Sequence, residues 1–428
     1  MKPLPWAGGL CLMASVVTLT FAMQGNPTGS RRVWPPVDQL PVQRELPDLL
    51  RMFDGRKVET AEQWRNERRP ELIEMIQHYM YGYAPPLPGI LARVTKDDAV
   101  VANGKGRLRE IEIRFRGLPE EAPRIQLALI VPRNAARAVP VFLALSKCGN
   151  VEVLPDEAIT LFPQAWRHEG CPPRLRGSQI DFWCVEYLLS RGYGFATFHE
   201  SDIDPDKHDF SDGIHSWYRL PGPPETHWGT IAAWAWGLQR AVDYLVTDPL
   251  VDAKRICLIG HSRRGKTALL AAALDERVAL VVPHQSGTGG MALSRDSTQE
   301  TVERINRVFP HWFNDTFTRF NDKVERLPFD QHALVALVAS RPLLDTEGSQ
   351  DHWANFPRAL DALRAADPVY KLLGARGLQG TGLVQDDEPI VGPNFGTIMQ
   401  YRLNEKHTLN RRFWEKILDF ADASLQIP

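Results

Sequence analysis

Ile256-Cys257-Leu258-Ile259-Gly260-His261-Ser262-Arg263-Arg264-Gly265-Lys266-Thr267-Ala268-Leu269 is the stretch that decides the fold. Its unbroken apolar start reads as a strand buried on both faces, Gly260 to Gly265 as a tight turn, and the residues from about Arg263 to Leu274 as a helix. A serine at the apex of a strand-turn-helix unit reads as a nucleophile elbow. Such a turn requires small neighbours, because the serine backbone is strained and the strand and helix pass close to each other. The helix N-terminus then directs unpaired N–H groups at any oxyanion formed beside the serine. The usual spacing is G-x-S-x-G. Here the second glycine arrives one residue late, at Gly265, with Arg264 in its expected place.

Outward from the elbow, strand patterns alternate with helical ones. Upstream, Ile111, Ile113 and Phe115 alternate, and apolar runs cover 126–131, 139–145 and 193–198. Trp228, Ile231, Ala235, Leu238, Val242 and Leu245 recur at spacings of three and four, which predicts one apolar stripe on a long helix. Downstream, strands are expected at 255–260, 278–283, near 341–344 and at 396–401, before a closing helix carrying Phe413, Ile417 and Phe420 on one face. This alternation implies an α/β three-layer sandwich with a mostly parallel central sheet covered on both faces. Residues 287–340 interrupt it with aromatic-rich sequence, including Phe309, Trp312 and Phe317. They read as a helical insertion over the edge where strand carboxyl ends, and so ligand sites, lie.

The 428 residues are 43% hydrophobic and 24% charged, an ordinary globular composition with enough chain for a large core. A net charge of −2 gives no bias toward nucleic acid or an anionic membrane, so a neutral or acidic substrate is the expected partner. Lys2, the apolar run 7–21 and Thr20-Phe21-Ala22 read as a signal peptide over residues 1–22. Residues 23–46, rich in Pro, Gly and Arg, read as an extended arm, and 47–428 as one catalytic domain. The expected product is a secreted or periplasmic monomer with no membrane attachment after signal removal. Cys257 reads as a buried thiol, leaving at most one bridge among Cys148, Cys171 and Cys184. No metal spacing is present and no cofactor is implied.

The residues also suggest chemistry. Arg263, Arg264 and Lys266 crowd cations around Ser262, which suits an anionic intermediate, although Arg264 reads as part of a solvated helix face. In this kind of fold the acid and then the base follow the nucleophile along the chain. Of the twelve histidines, His407 alone falls in a loop between a late strand and the closing helix. His261 adjoins Ser262, but an elbow turns its side chain away from the nucleophile, so it reads as support. His284, His311 and His352 read as cleft residues other than the base.

The elbow, Gly260 through Lys266, resembles the G-[CH]-S-R-x-G-K motif of carbohydrate esterase family 15, the glucuronoyl esterases of the α/β-hydrolase superfamily. Similarity continues through 64–71, Tyr81-Gly82, 202–206, 228–236, 309–313, 351–355 and Lys406-His407, in a form closer to bacterial than fungal members. The resemblance implies hydrolysis of glucuronic acid esters on plant xylan or lignin-carbohydrate complexes. It implies Ser262 as nucleophile, His407 as base, Arg263 as oxyanion stabiliser through its N–H and guanidinium, and Lys266, Glu300 and Trp353 as sugar-binding residues. Acetyl xylan esterase or general carboxylesterase activity on the same fold is the alternative, and a catalytically silent acidic-sugar binder a third.

One position departs from the family. Many members carry P-x-E-S-G after the strand that follows the nucleophile helix, whereas Pro283-His284-Gln285-Ser286-Gly287 offers an amide, which cannot balance a histidinium. Asp351, after the next strand, is the expected acid. Asp345 and Glu347 compete with it, and read as loop-capping or solvated charges.

Overall fold

In chain order the strands are β1 (Ile90–Val101), β2 (Gly106–Phe115), β3 (Ile125–Pro132), β4 (Val139–Ser146), β5 (Gly194–His199), β6 (Val251–His261), β7 (Leu280–His284), β8 (Leu343–Gly348), β9 (Leu383–Gln385) and β10 (Ile398–Leu403). They form one sheet in the order β1-β2-β3-β5-β4-β6-β7-β8-β10-β9. The elbow strand β6 sits at its middle. From β5 to β9 across the sheet the neighbours run parallel, whereas β1, β2 and β3 pair antiparallel and β3 meets β5 antiparallel. This is a computed structural model describing residues 32–162, 168 and 170–427, so the signal peptide expected at 1–22 lies outside the described residues. The chain divides into units of 1–33 and 34–428, and everything below concerns the second.

The doubly apolar strands do what their pattern dictates. Along β4, Val141, Leu143 and Leu145 enter one core while Phe142 and Ala144 enter the other. On β6, Ile256 and Leu258 take the first side, and Cys257 and Ile259 the second. Period-two alternation on a strand buried on both faces feeds two cores from one segment. Helices Thr230–Leu245, Arg263–Leu274, His332–Val338 and Phe356–Leu372 cover the first face, and Val185–Ser190 with Arg411–Leu425 the second.

Several elements differ from the sequence pattern for identifiable reasons. Helix Thr230–Leu245 is buried on nearly every side, beyond the single stripe expected, because the insertion closes over its start: Thr230 N–H donates to His311 O at 2.8 Å. The insertion itself contains helices Val302–Val308 and Asp315–Thr318, but its last helix, His332–Val338, packs against the nucleophile helix as part of the covering layer. β1 went unseen because its central residues, Thr95-Lys96-Asp97-Asp98, lack alternation, and Leu91, Val94 and Val100 face solvent. Residues 34–46 of the expected arm place Trp34, Val37 and Leu40 in the core, and Pro35 O accepts from Tyr79 Oη at 2.7 Å. Cys148 is bonded to Cys171, while Cys184 and the buried Cys257 are free thiols.

The nucleophile helix is also held at its far end. Arg341 donates to the carbonyls of Ala272 (2.8 Å) and Asp275 (2.9 Å), and Arg69 to Ala273 (2.9 Å). Two guanidiniums thus satisfy terminal carbonyls and offset the negative end of the helix dipole.

Candidate active site

Ser262 has φ 59° and ψ −128°, a conformation that side chains rarely adopt. Backbone bonds hold it there: its N–H donates to His284 O at 3.0 Å, and its carbonyl accepts from Gly265 at 2.8 Å and Lys266 at 3.1 Å. A Cβ at Gly260 would lie 2.0 Å from Arg264 O, and one at Gly265 would lie 2.8 Å from Gly260 O. The late glycine is therefore the one that packs the helix against β6. Gly260→Ala is expected to destabilise the fold by ~3 kcal/mol or more, since backbone cannot yield as a flexible side chain would. A denaturant midpoint within error of wild type would contradict this.

Arg264 corrects the sequence expectation. It is buried, with Nε 2.7 Å from Glu200 Oε2, because position 264 faces inward once Gly265 has closed the turn. Burial pushes the Glu200 carboxyl up to about 7 against the pull of Arg264.

Arg263 starts the helix and is held from several sides. Its guanidinium pairs with Asp206 and lies over the rings of Trp312 (4.5 Å) and Phe309 (4.7 Å), which stack on each other at 3.7 Å. Asp206 also accepts from His311 Nε2 at 2.9 Å and Trp312 Nε1 at 2.8 Å. Burial alone would raise the Asp206 carboxyl, but the His311 hydrogen bond and the Arg263 charge hold it well below the usual carboxylate range. Along the chain Asp206 carries no signal beyond family similarity, and its role follows from contacts across more than 50 residues of chain.

One helical turn after Ser262, Lys266 Nζ meets Ser286 O at 2.6 Å, Thr288 O at 2.7 Å and both Glu300 oxygens at 3.2 and 3.3 Å. Glu300 Oε2 also accepts from Thr288 N–H at 2.8 Å, and the Trp353 side chain nearby helps to hold the Glu300 carboxyl down. Burial lowers the Lys266 ammonium and raises the Glu300 carboxyl, with each partner opposing the shift of the other. Trp353 remains 41% exposed under Arg304, 4.9 Å above its ring. The three expected sugar-binding residues are thus joined in one cluster.

His407 and Asp351 are also brought together, with Nδ1 and Oδ2 2.5 Å apart. Asp351 is buried and caps the turn His352–Ala354, while the His407 ring is partly exposed. A carboxylate only accepts, so Nδ1 carries the proton and Nε2 is left as the basic nitrogen. The His407 ring packs on His261, the neighbour of Ser262, with centroids 4.2 Å apart.

The competing acids lie elsewhere. β8 continues to Gly348, past the expected end at Leu344, and buries Asp345 and Glu347 in register with Gln400 and Arg402 of β10. They are strand residues and not solvated loop charges: Asp345 Oδ2 accepts from Gln400 Nε2 at 2.7 Å. Burial pushes Asp345 up to about 7, and raises Glu347 further with the help of Asp345 and Asp351 nearby. Gln285 contacts His261 and Lys406 O in place of the His407 imidazole.

A mostly parallel sheet layered between helices, with a strand-Ser262-helix elbow at its carboxyl edge, is the architecture of an α/β-hydrolase. The family description "Glucuronyl esterase, fungi" matches residues 179–374. A carbohydrate esterase, MZ0003, from an unknown prokaryotic organism is 38% identical over 88% of this chain and 89% of its own. The chain belongs to carbohydrate esterase family 15, the glucuronoyl esterases, and is a carboxylic ester hydrolase. The solved glucuronoyl esterase from Solibacter usitatus is 34% identical, with a TM-score of 0.82 over 90% of this chain and 99% of that one. The 4-O-methyl-glucuronoyl methylesterase 1 of Wolfiporia cocos is 28% identical over 78% of this chain and 74% of its own.

Proposed function

We propose that the protein is exported and hydrolyses esters of glucuronic acid, 4-O-methylated or not, borne on xylan, including ester links to lignin alcohols. Ser262 Oγ attacks the ester carbonyl as His407 Nε2 takes its proton, and Asp351 balances the imidazolium. Arg263 N–H and guanidinium stabilise the oxyanion. The alcohol leaves with the proton from His407, and water then cleaves the acyl-enzyme by the same steps. Export is supported by the leader pattern at 1–22 and by the Cys148–Cys171 bridge, which suits an oxidising compartment.

The observation that carries the substrate is the Lys266-Glu300-Trp353 cluster beside the elbow. Ester cleavage as such does not need it. A ring with several hydroxyls does, since a charged pair offers donors and acceptors together and an aromatic face covers the ring carbons. The two Lys266 contacts to Glu300 are its longest, so an arriving hydroxyl can share that ion pair.

The test compares kcat/KM on a benzyl ester of glucuronic acid, its galacturonate epimer and an aryl acetate. The glucuronate should be preferred. Lys266→Met, which keeps the stem and removes the ammonium, should cost ~2–100-fold on glucuronate, matching one hydrogen-bonded polar contact, and much less on the acetate. Equal losses on both would favour a general carboxylesterase.

A further inference from the structure

We propose that His284 and Gln285 are positioning residues that clamp the loop of His407 from both sides, an inference resting on His407 as the base. His284 ends β7 and Gln285 follows it, in the left-handed region at φ 44°. Gln285 Nε2 donates to Lys406 O at 2.9 Å, and His284 Nε2 lies 2.9 Å from Thr408 O. Those carbonyls flank His407. Two adjacent side chains from a buried strand end therefore grip the backbone immediately before and after the base.

Carbonyl oxygens only accept, which fixes the orientation of the Gln285 amide. The Gln285 amide nitrogen must face Lys406, leaving its Oε1 for His261 Nε2–H at 3.2 Å. His284 donates from Nε2 to Thr408 O, while its Nδ1 lies 2.8 Å from Thr346 Oγ1 and 3.1 Å from Thr346 O. Burial keeps both rings neutral, lowering His284 to about 4 and His261 well below its ordinary value, the latter with help from His407. The Gln285-held ring of His261 packs on the His407 ring at a 44° tilt, with centroids 4.2 Å apart.

The clamp has a mechanical purpose. Residues 404–410 between β10 and the closing helix have no regular structure, and the His407 side chain is 40% exposed. One hydrogen bond to Asp351 holds Nδ1 but leaves the ring free to swing about that bond. Fixing both neighbouring carbonyls and packing His261 against the ring removes the swing and holds Nε2 in one orientation. Gln285 works here as a donor. A glutamate would turn lone pairs on Lys406 O and would fail to act as a second acid, contrary to what the family pattern alone suggests.

The experiment is a double-mutant cycle in the full chain on benzyl glucuronate, with Gln285→Met, His407→Ala and the pair, each checked by thermal unfolding. Gln285→Met should lower kcat by ~10–100-fold, as small misplacements of a catalytic group do, with KM within about twofold. In the His407→Ala background the same change should alter the residual rate by less than about twofold, because Gln285 acts only through His407. Gln285→Glu, nearly isosteric, should lose kcat in the same way and covers the case in which the methionine variant does not fold. Equal losses in both backgrounds, a loss in KM alone, or wild-type kcat in either Gln285 variant would overturn the clamp. An active His407→Ala would instead overturn the base itself, and the clamp with it.

Discussion

Ser262→Ala is expected to lower kcat on benzyl glucuronate by ~10⁶-fold while leaving a folded protein, the size of loss known for a triad serine. The fold should persist because the elbow rests on contacts that do not involve Oγ. These are the Ser262 N–H bond to His284 O, the two bonds into the Ser262 carbonyl, and the close approach of Gly260 and Gly265. Alanine carries the same backbone strain at φ 59° as serine, so stability should change little. What disappears is the atom that forms the acyl-enzyme. Circular dichroism and burst kinetics on the purified variant provide the check, and near wild-type turnover by a folded protein would remove the proposed mechanism.

The second large effect concerns the acid. Asp351→Asn should cost up to ~10⁴-fold in kcat, the size seen when a triad carboxylate becomes an amide and no longer stabilises the imidazolium or its tautomer. The loss should be mainly in turnover, since Asp351 is bonded to His407, while an asparagine can still cap the turn that carries Trp353. Asp345→Asn should be mild by comparison. Asp345 Oδ2 is bonded to Gln400, so its substitution perturbs a buried strand pair and leaves the charge beside His407 in place. Adding Gln285→Glu to Asp351→Asn should restore nothing. Position 285 reaches His261 and Lys406 O, and a carboxylate there repels the carbonyl that the amide holds. If Asp345→Asn abolished turnover while Asp351→Asn spared it, the acid would lie in β8.

Much of the site was legible because its signals are local. A strained serine between close-packed backbones leaves a mark within six residues, and Gly260, Ser262 and Gly265 carry it. Doubly buried strands leave unbroken apolar runs, so β3 to β7 follow from composition along the chain. Chain order and the family resemblance offer His407 as the candidate base, and the need for a charge that Gln285 cannot supply offers Asp351 as the candidate acid.

Elsewhere the pattern was silent or ambiguous. β1 is exposed, so no alternation marks it. Arg264 looks like any helix-face cation until Glu200, 64 residues upstream, is placed against it. Asp345 and Glu347 look like loop charges until β10 extends β8 past them. The pairing of Cys148 with Cys171, leaving Cys184 unpaired, likewise depends on which loops meet.

By itself, then, the sequence determined the layered sheet, the elbow and the residue types available for chemistry, because each is encoded by neighbours along the chain. Only the tertiary structure decided the partnerships. His407 and Asp351 are 56 residues apart, Lys266 and Glu300 are 34 apart, and Gln285 and Lys406 are 121 apart. They meet because parallel strands deliver their following loops to one edge of the sheet, and which side chains face each other there depends on strand lengths and loop paths. Gln285 shows the difference most clearly. Read along the chain it is a missing acid, and in the fold it is a donor to the loop that carries His407.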